Sequence, residues 1–339
     1  MMRQRTGVIV VMLWSVLGCE SQPASRPPVQ ASQQVSPPRA TGGSANKKAE
    51  FLAMRETFTS TLTSTHDPSA PPAEPPEGVF EHVQYQSPLG PMHAYVSPDP
   101  GDGKKHPIIL WKFGGFSNGI GSTAWSDEPA MNDQSAAQFR KAGVLMMYPS
   151  VRGGHDNPGR FEAFYGEVDD MLAALDYARS LDYVDRDRVY LGGHSTGGSL
   201  ALLTAAAVAT DKKPRAVFSL GPIDWISNYG EGVQYDIYND DEEYARAPIE
   251  WLDAIESPTF IIEGSEGNSG AARRLAKATH NPNVSTFVVP THSHFSLIAG
   301  VNEMLARKIL EDAPAKGRFK VVASELQGLV QNGQKVEAY

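Results

Sequence analysis

The sequence predicts an α/β chain built on a mostly parallel, doubly wound sheet, and three observations carry that expectation. Short apolar runs alternate with longer helical patterns from about residue 105 onward, as they do when a sheet is covered on both faces. The runs Pro107–Phe113, Val144–Pro149 and Thr259–Glu263 are apolar almost throughout rather than alternating, which suits strands buried on both sides. One of the short strands, Val189-Tyr190-Leu191, runs into a glycine-flanked turn and then a small-residue helix.

Taken in order, the chain opens with a segment that stands apart from any fold. Arg3 and Arg5 precede the apolar run Gly7–Leu17, which is short for a bilayer span, and the only cysteine, Cys19, follows Val16-Leu17-Gly18 directly. This resembles a bacterial lipoprotein signal, which implies a signal peptide over 1–18, lipidation of Cys19, and an exported protein held in the cell envelope by its anchor. Residues 19–46 are rich in Ser, Gln, Pro and Ala and read as a disordered tether. Phe51, Leu52, Met54, Phe58 and Leu62 predict a docking helix, followed by a Pro-rich connection, the two together over 47–78.

The globular part is expected over 79–313. Val79–Gln86 and Met92–Ser97 read as an antiparallel pair, and Pro107–Phe113 as the first strongly apolar strand. Helices are predicted over 128–142 and 161–181, then an elbow strand at 189–191, a buried helix over 199–208 and a strand at 216–220. Strand, helix, strand, helix over 259–263, 269–280, 284–289 and 296–311 complete the domain, and a tail over 314–339 carries a short helix at 320–330. The stretch 224–247 mixes five aromatics with seven acids and is a candidate lid.

Composition excludes some classes. The formal charge is −9 over 339 residues, which argues against a nucleic-acid binder. No phosphate-cradling or dinucleotide glycine motif is present, and no cofactor is expected.

The chemistry centres on Gly193-His194-Ser195-Thr196-Gly197, the G-x-S-x-G pattern of a nucleophile elbow. A serine on such a turn is strained, and the turn forms only where the residues two before and two after it have almost no side chain. The helix that follows aims its free N–H groups at the site of a developing oxyanion. Ser195 is therefore the expected nucleophile. Thr196 N–H and Gly115 N–H, the latter in the Phe113-Gly114-Gly115-Phe116 loop, are the expected oxyanion donors, with Phe116 the competing choice. His294, in Thr291-His-Ser-His-Phe-Ser296, is the expected base; His292 would point the other way in an extended segment, and His194 reads as a turn residue. A His-x-His metal site is the weaker reading, since no cysteine or suitably spaced carboxylate accompanies the pair. For the acid, Glu266 is the nearest carboxylate on the loop after 259–262 and Glu263 at the strand end is second; with neither in reach the site would be a dyad.

The ordered set of Trp111–Phe116, Tyr148-Pro-Ser-Val-Arg-Gly-Gly154, Gly166-Glu-Val-Asp-Asp170, the elbow, Gly221-Pro-Ile-Asp-Trp225 and Ser257–Gly264 resembles the catalytic domain of the prolyl oligopeptidase family of α/β hydrolases. The resemblance covers roughly residues 105–312. It implies an α/β-hydrolase fold, Ser195 as nucleophile, His294 as base and a structural role for Asp224. Two departures stand out: residues 20–104 are too short for the family's β-propeller, and Gly267 occupies the family's acid position. The expected activity is cleavage of a small-molecule ester or a peptide through an acyl-enzyme, with esterase favoured over peptidase. The rival expectation is a hydrolase-like lipoprotein that binds without turnover. Arg152 is placed to hold a substrate carboxylate or to pair with acids of 224–247.

Overall fold

The computed structural model describes residues 44–63, 69–330 and 333–339. The expected signal peptide, Cys19 and most of the tether lie outside the described residues. Nine strands form one sheet in the order β1-β2-β4-β3-β5-β6-β7-β8-β9. The antiparallel hairpin β1 (Glu81–Ser87) and β2 (Gly90–Val96) makes one edge, and β2 pairs antiparallel with β4 (Leu145–Pro149). From there β3 (His106–Lys112), β5 (Val184–His194), β6 (Val217–Leu220), β7 (Thr259–Gly264) and β8 (Val284–Val289) run parallel, and the short β9 (Glu337–Ala338) closes the far edge antiparallel. This is an α/β-hydrolase fold.

The period of two decides which side chain goes to which face. In β3, Ile108 and Leu110 enter one apolar cluster while Ile109 and Trp111 enter the other. The first cluster lies under α3 (Glu167–Ser180) and α4 (Thr196–Ala207); the second lies under α2 (Ala137–Ala142) and α8 (Leu297–Glu311). Every residue of α4 is buried, which explains a helix apolar on all sides. α1 (Ser44–Thr57) docks by stacking Phe51 on Trp251 at 4.5 Å and pairing Arg55 with Asp169 and Lys48 with Glu256, both at 2.6 Å.

Several expected helices are shorter. Residues 128–136 form 3-10 and irregular turns before α2, because Pro129 interrupts the ladder and the Asp133 carboxylate bonds the Ser135 N–H instead. α3 begins at Glu167 rather than 161, since Ala163 and Phe164 take positive φ. The tail helix is only α9 (Ala323–Gln327). The stretch after β6 is docked rather than solvated. It carries α5 (Asp240–Arg246) and α6 (Pro248–Trp251), and Tyr235 bridges back to Leu62. Its buried acids are used internally: Glu243 accepts from the Ser227 hydroxyl at 2.8 Å, and Glu242 from Ser60 at 2.9 Å and from buried Arg246. α7 (Ser269–Ala278) links β7 to β8.

Candidate active site

Ser195 sits between β5 and α4 at the carboxyl edge of the sheet, with φ 56° and ψ −118°. The flanking glycines are needed for space. A Cβ on Gly197 would lie 2.2 Å from the Lys112 carbonyl oxygen, and one on Gly193 would lie 2.5 Å from the Gly197 carbonyl. Ser195 N–H donates to Leu220 O at 2.8 Å, which locks the elbow to the end of β6.

The Gly114-Gly115 loop packs on this elbow: a Cβ on Gly114 would come within 3.2 Å of the Ser195 Cβ. Thr196 Oγ1 donates to Gly115 O at 2.6 Å, and Gly115 takes φ 90°. The two expected oxyanion residues are thus tied directly together. Phe116 is 41% exposed, and its ring meets Phe161 and Tyr229 edge-on.

His294 lies on the loop between β8 and α8, and its Nδ1 is 2.9 Å from Glu263 Oε2. Glu263 is fully buried at the end of β7; its carboxylate also accepts the N–H groups of Gly264 at 2.6 Å and Asn268 at 3.0 Å. Glu266, the first expectation for the acid, is exposed, and its own N–H donates to His292 O at 3.0 Å. The expectation is corrected: the carboxylate that meets His294 is Glu263. The reason is the space at Gly267. A Cβ there would lie 2.7 Å from Glu263 Oε1 and 2.8 Å from His294 N, so this position aims at the histidine as the family's acid position does. With no side chain on Gly267, the longer Glu263 enters from the strand end. Gly221, at φ 63°, clears the other side: a Cβ would be 2.5 Å from the His294 ring.

His194 is a buried strut. Its Nε2 lies 2.9 Å from His294 O and its Nδ1 3.1 Å from Gln134 Oε1. Burial, reinforced by the neighbouring His294, lowers its pKa to about 3, so it stays neutral and braces the base without titrating. His292 turns away, with Nε2 3.0 Å from Leu329 O. Asp224 is fully buried and paired with Arg274 at 2.5 and 3.0 Å. Arg152 reaches neither a substrate position nor the acids of 224–247. It is 5% exposed, bonds Asp170 through Nε at 2.8 Å and Nη2 at 3.0 Å, and pairs with Glu162 at 2.8 Å.

Sequence reasoning missed Tyr229. Its hydroxyl is 2.9 Å from Ser199 Oγ and within hydrogen-bonding reach of the Ser195 side chain, and burial raises its pKa. Ser199 Oγ also accepts the Ile223 N–H at 3.0 Å, and either hydroxyl can donate in its bond to Tyr229. The only signal was the density of aromatics after residue 224. A cleft of about 670 Å³ opens in front of Ser195, between Phe113, Ile120, Gln134 and Phe295. Glu128 is the one carboxylate in its wall.

A family model described as "Prolyl oligopeptidase family" matches residues 130–269, which include the elbow, Glu263 and Gly267. Over those residues the chain is similar to the prolyl oligopeptidase family, and the fold around them is that of an α/β hydrolase. It is 26% identical over 200 residues to a prolyl endopeptidase of Elizabethkingia miricola, across 56% of this chain and 26% of that protein. It is likewise 26% identical over 180 residues to an uncharacterized peptidase, YtmA, of Bacillus subtilis (strain 168), across 47% of this chain and 67% of that one. Among solved structures, Est1E from Butyrivibrio proteoclasticus with ferulic acid bound superposes with a TM-score of 0.51 at 20% identity, over 68% of this chain and all of that one. The chain thus spans about a quarter of the length of the prolyl endopeptidase it matches.

Proposed function

We propose that this prolyl oligopeptidase-like chain is a serine hydrolase that cleaves an ester or amide bond through an acyl-enzyme. Ser195 attacks the carbonyl carbon while His294 takes its proton. The Nδ1–H of His294 is held by Glu263, which stabilises the imidazolium as it forms. Thr196 N–H and Gly115 N–H receive the oxyanion, and Tyr229 donates toward the serine oxygen. His294 then returns the proton to the leaving group, water enters by the same route, and the acid product departs. The observation that carries this reading is the pairing of half-buried His294 with fully buried Glu263 at the sheet edge that also holds a serine at φ 56°.

Ester cleavage is the favoured form, because the cleft beside Ser195 meets solvent past the exposed ring of Phe295 and no propeller covers it among the described residues. One observation favours peptides: Glu128 in the cleft wall has no ion-pair partner among the described residues and would receive a substrate amine. We further propose export and lipid anchoring at Cys19, supported by the basic, apolar and small-residue pattern before it. Cys19→Ala should move the protein from the membrane to the soluble fraction.

Labelling with a fluorophosphonate tests the enzyme reading. The parent should label, Ser195→Ala should not, and His294→Ala should label far more slowly. A folded parent that fails to label would leave the binding-protein reading in its place. A panel of short-chain esters and of peptides with free and blocked amines then separates the two substrate classes.

A further inference from the structure

The opposite edge of the sheet carries a second cleft, of about 540 Å³, that the hydrolase chemistry does not use. It lies where the parallel strands begin, beside the first residues of β5 and just ahead of β6, β7 and β8. Five basic side chains line it: Arg179 from the last turn of α3, Arg186, Lys213, Arg215 and Arg318. This concentration occurs in a chain whose formal charge is −9.

Acids share the wall but do not neutralise it. Glu256 is taken by Lys48 at 2.6 Å and Thr210 at 3.1 Å, and Arg215 is matched by Asp312 at 2.7 and 2.8 Å. That leaves Arg179, Arg186, Lys213 and Arg318 against Asp187 and Asp211. Arg179 is the informative one. Its side chain is 14% exposed, and among the described residues its ion-pair carboxylate oxygen, on Asp176, stands 4.0 Å away while its two terminal nitrogens have no hydrogen-bond partner. Burial lowers its pKa, as expected for a guanidinium out of water without a close counter-ion. Such a group is unfavourable as it stands, and a planar fork of donors is matched by the paired oxygens of an oxyanion.

We propose that this cleft binds a phosphate-type oxyanion, with Arg179 as the buried anchor and Arg318, Arg186 and Lys213 as the rim. The same chemistry is offered by free inorganic phosphate and by an anionic phospholipid headgroup. The proposal is independent of the hydrolase reading.

The test uses the full chain. Inorganic phosphate, added against sodium chloride at matched ionic strength, should raise the thermal midpoint and give a saturable isotherm by calorimetry. Arg179→Met should weaken binding at least tenfold and Arg318→Ala severalfold; Arg318 is exposed, so its variant keeps the test open if Arg179→Met fails to fold. Ester hydrolysis should be unchanged in Arg318→Ala. Co-sedimentation with phosphatidylglycerol vesicles, compared with phosphatidylcholine vesicles and between parent and variants, identifies the source. Binding to phosphatidylglycerol that drops in the variants, without binding of free phosphate, assigns the headgroup. The proposal is overturned if phosphate stabilises no better than chloride and the two vesicle types bind alike, or if Arg318→Ala and Arg179→Met bind as the parent does.

Discussion

Glu263 and Asp170 are both completely buried carboxylates beside a basic side chain, yet their surroundings suit them to opposite tasks. Asp170 faces a guanidinium that never gives up its proton, and it accepts three bonds from Arg152, counting the main-chain N–H, and one from the Ser87 hydroxyl. Four donors converge on it, so this cluster ties α3 to the loop after β4. Glu263 faces the His294 imidazole, and its carboxylate also accepts two main-chain N–H groups. A buried anion beside a titratable partner is a device for moving a proton. Beside a fixed cation it is a strut.

The comparison is broken most directly by neutralising each acid. Glu263→Gln removes the charge that supports the imidazolium and should lower kcat by about 10³–10⁴-fold with little change in thermal midpoint, measured on a p-nitrophenyl ester. Glu266→Gln, measured in parallel, should stay within about twofold of the parent. If the two variants exchange these outcomes, the assignment of the acid is wrong. Asp170→Asn should do the reverse: it strands a buried guanidinium and should lose about 3–5 kcal/mol by denaturant unfolding, while activity per folded molecule is retained.

Two smaller effects sharpen the contrast. Tyr229→Phe keeps the ring packed on Phe116 and Phe164 but removes the hydroxyl, so kcat should fall about tenfold at constant KM and constant stability. Glu167 offers a third kind of buried acid, with no basic side chain in ion-pair contact. Desolvation raises its pKa from 4.5 to about 7, while the same burial brings neighbouring Lys112 down to about 8. The folded state therefore holds a proton that the unfolded chain has already released. Its stabilising contribution is full below about pH 4.5 and is lost as pH rises through about 7. Glu167→Gln should flatten that part of the stability–pH curve relative to the parent, as followed by urea unfolding at a series of pH values.

Much of the site was legible before any coordinates, because it depends on local chain geometry. A turn strained at Ser195 calls for glycines at 193 and 197, and a loop that packs on the serine calls for glycine at 114; such demands fall on single residues and leave a visible pattern. The choice of Glu263 over Glu266 was not visible in this way. The two lie three residues apart, Glu263 at the end of β7 and Glu266 on the loop after it, and what separates them is the empty volume at Gly267 and the clearance at Gly221, contributed by a different strand end. Tyr229 and Arg152 follow the same rule. Tyr229 was missed and Arg152 was given other partners, because the role of each depends on a residue 30 or 18 positions away, Ser199 and Asp170 respectively.

The sequence by itself therefore determined the strand and helix alternation and the glycine-flanked turn that holds Ser195, since periodicity and steric demand act along the chain. Only the tertiary structure decided which carboxylate holds the histidine, which hydroxyl faces the serine, and where the cations of an acidic chain converge. Those outcomes are set by which side chains fill the same space and share the same loss of water, and residues distant in sequence meet those conditions only once the sheet has formed.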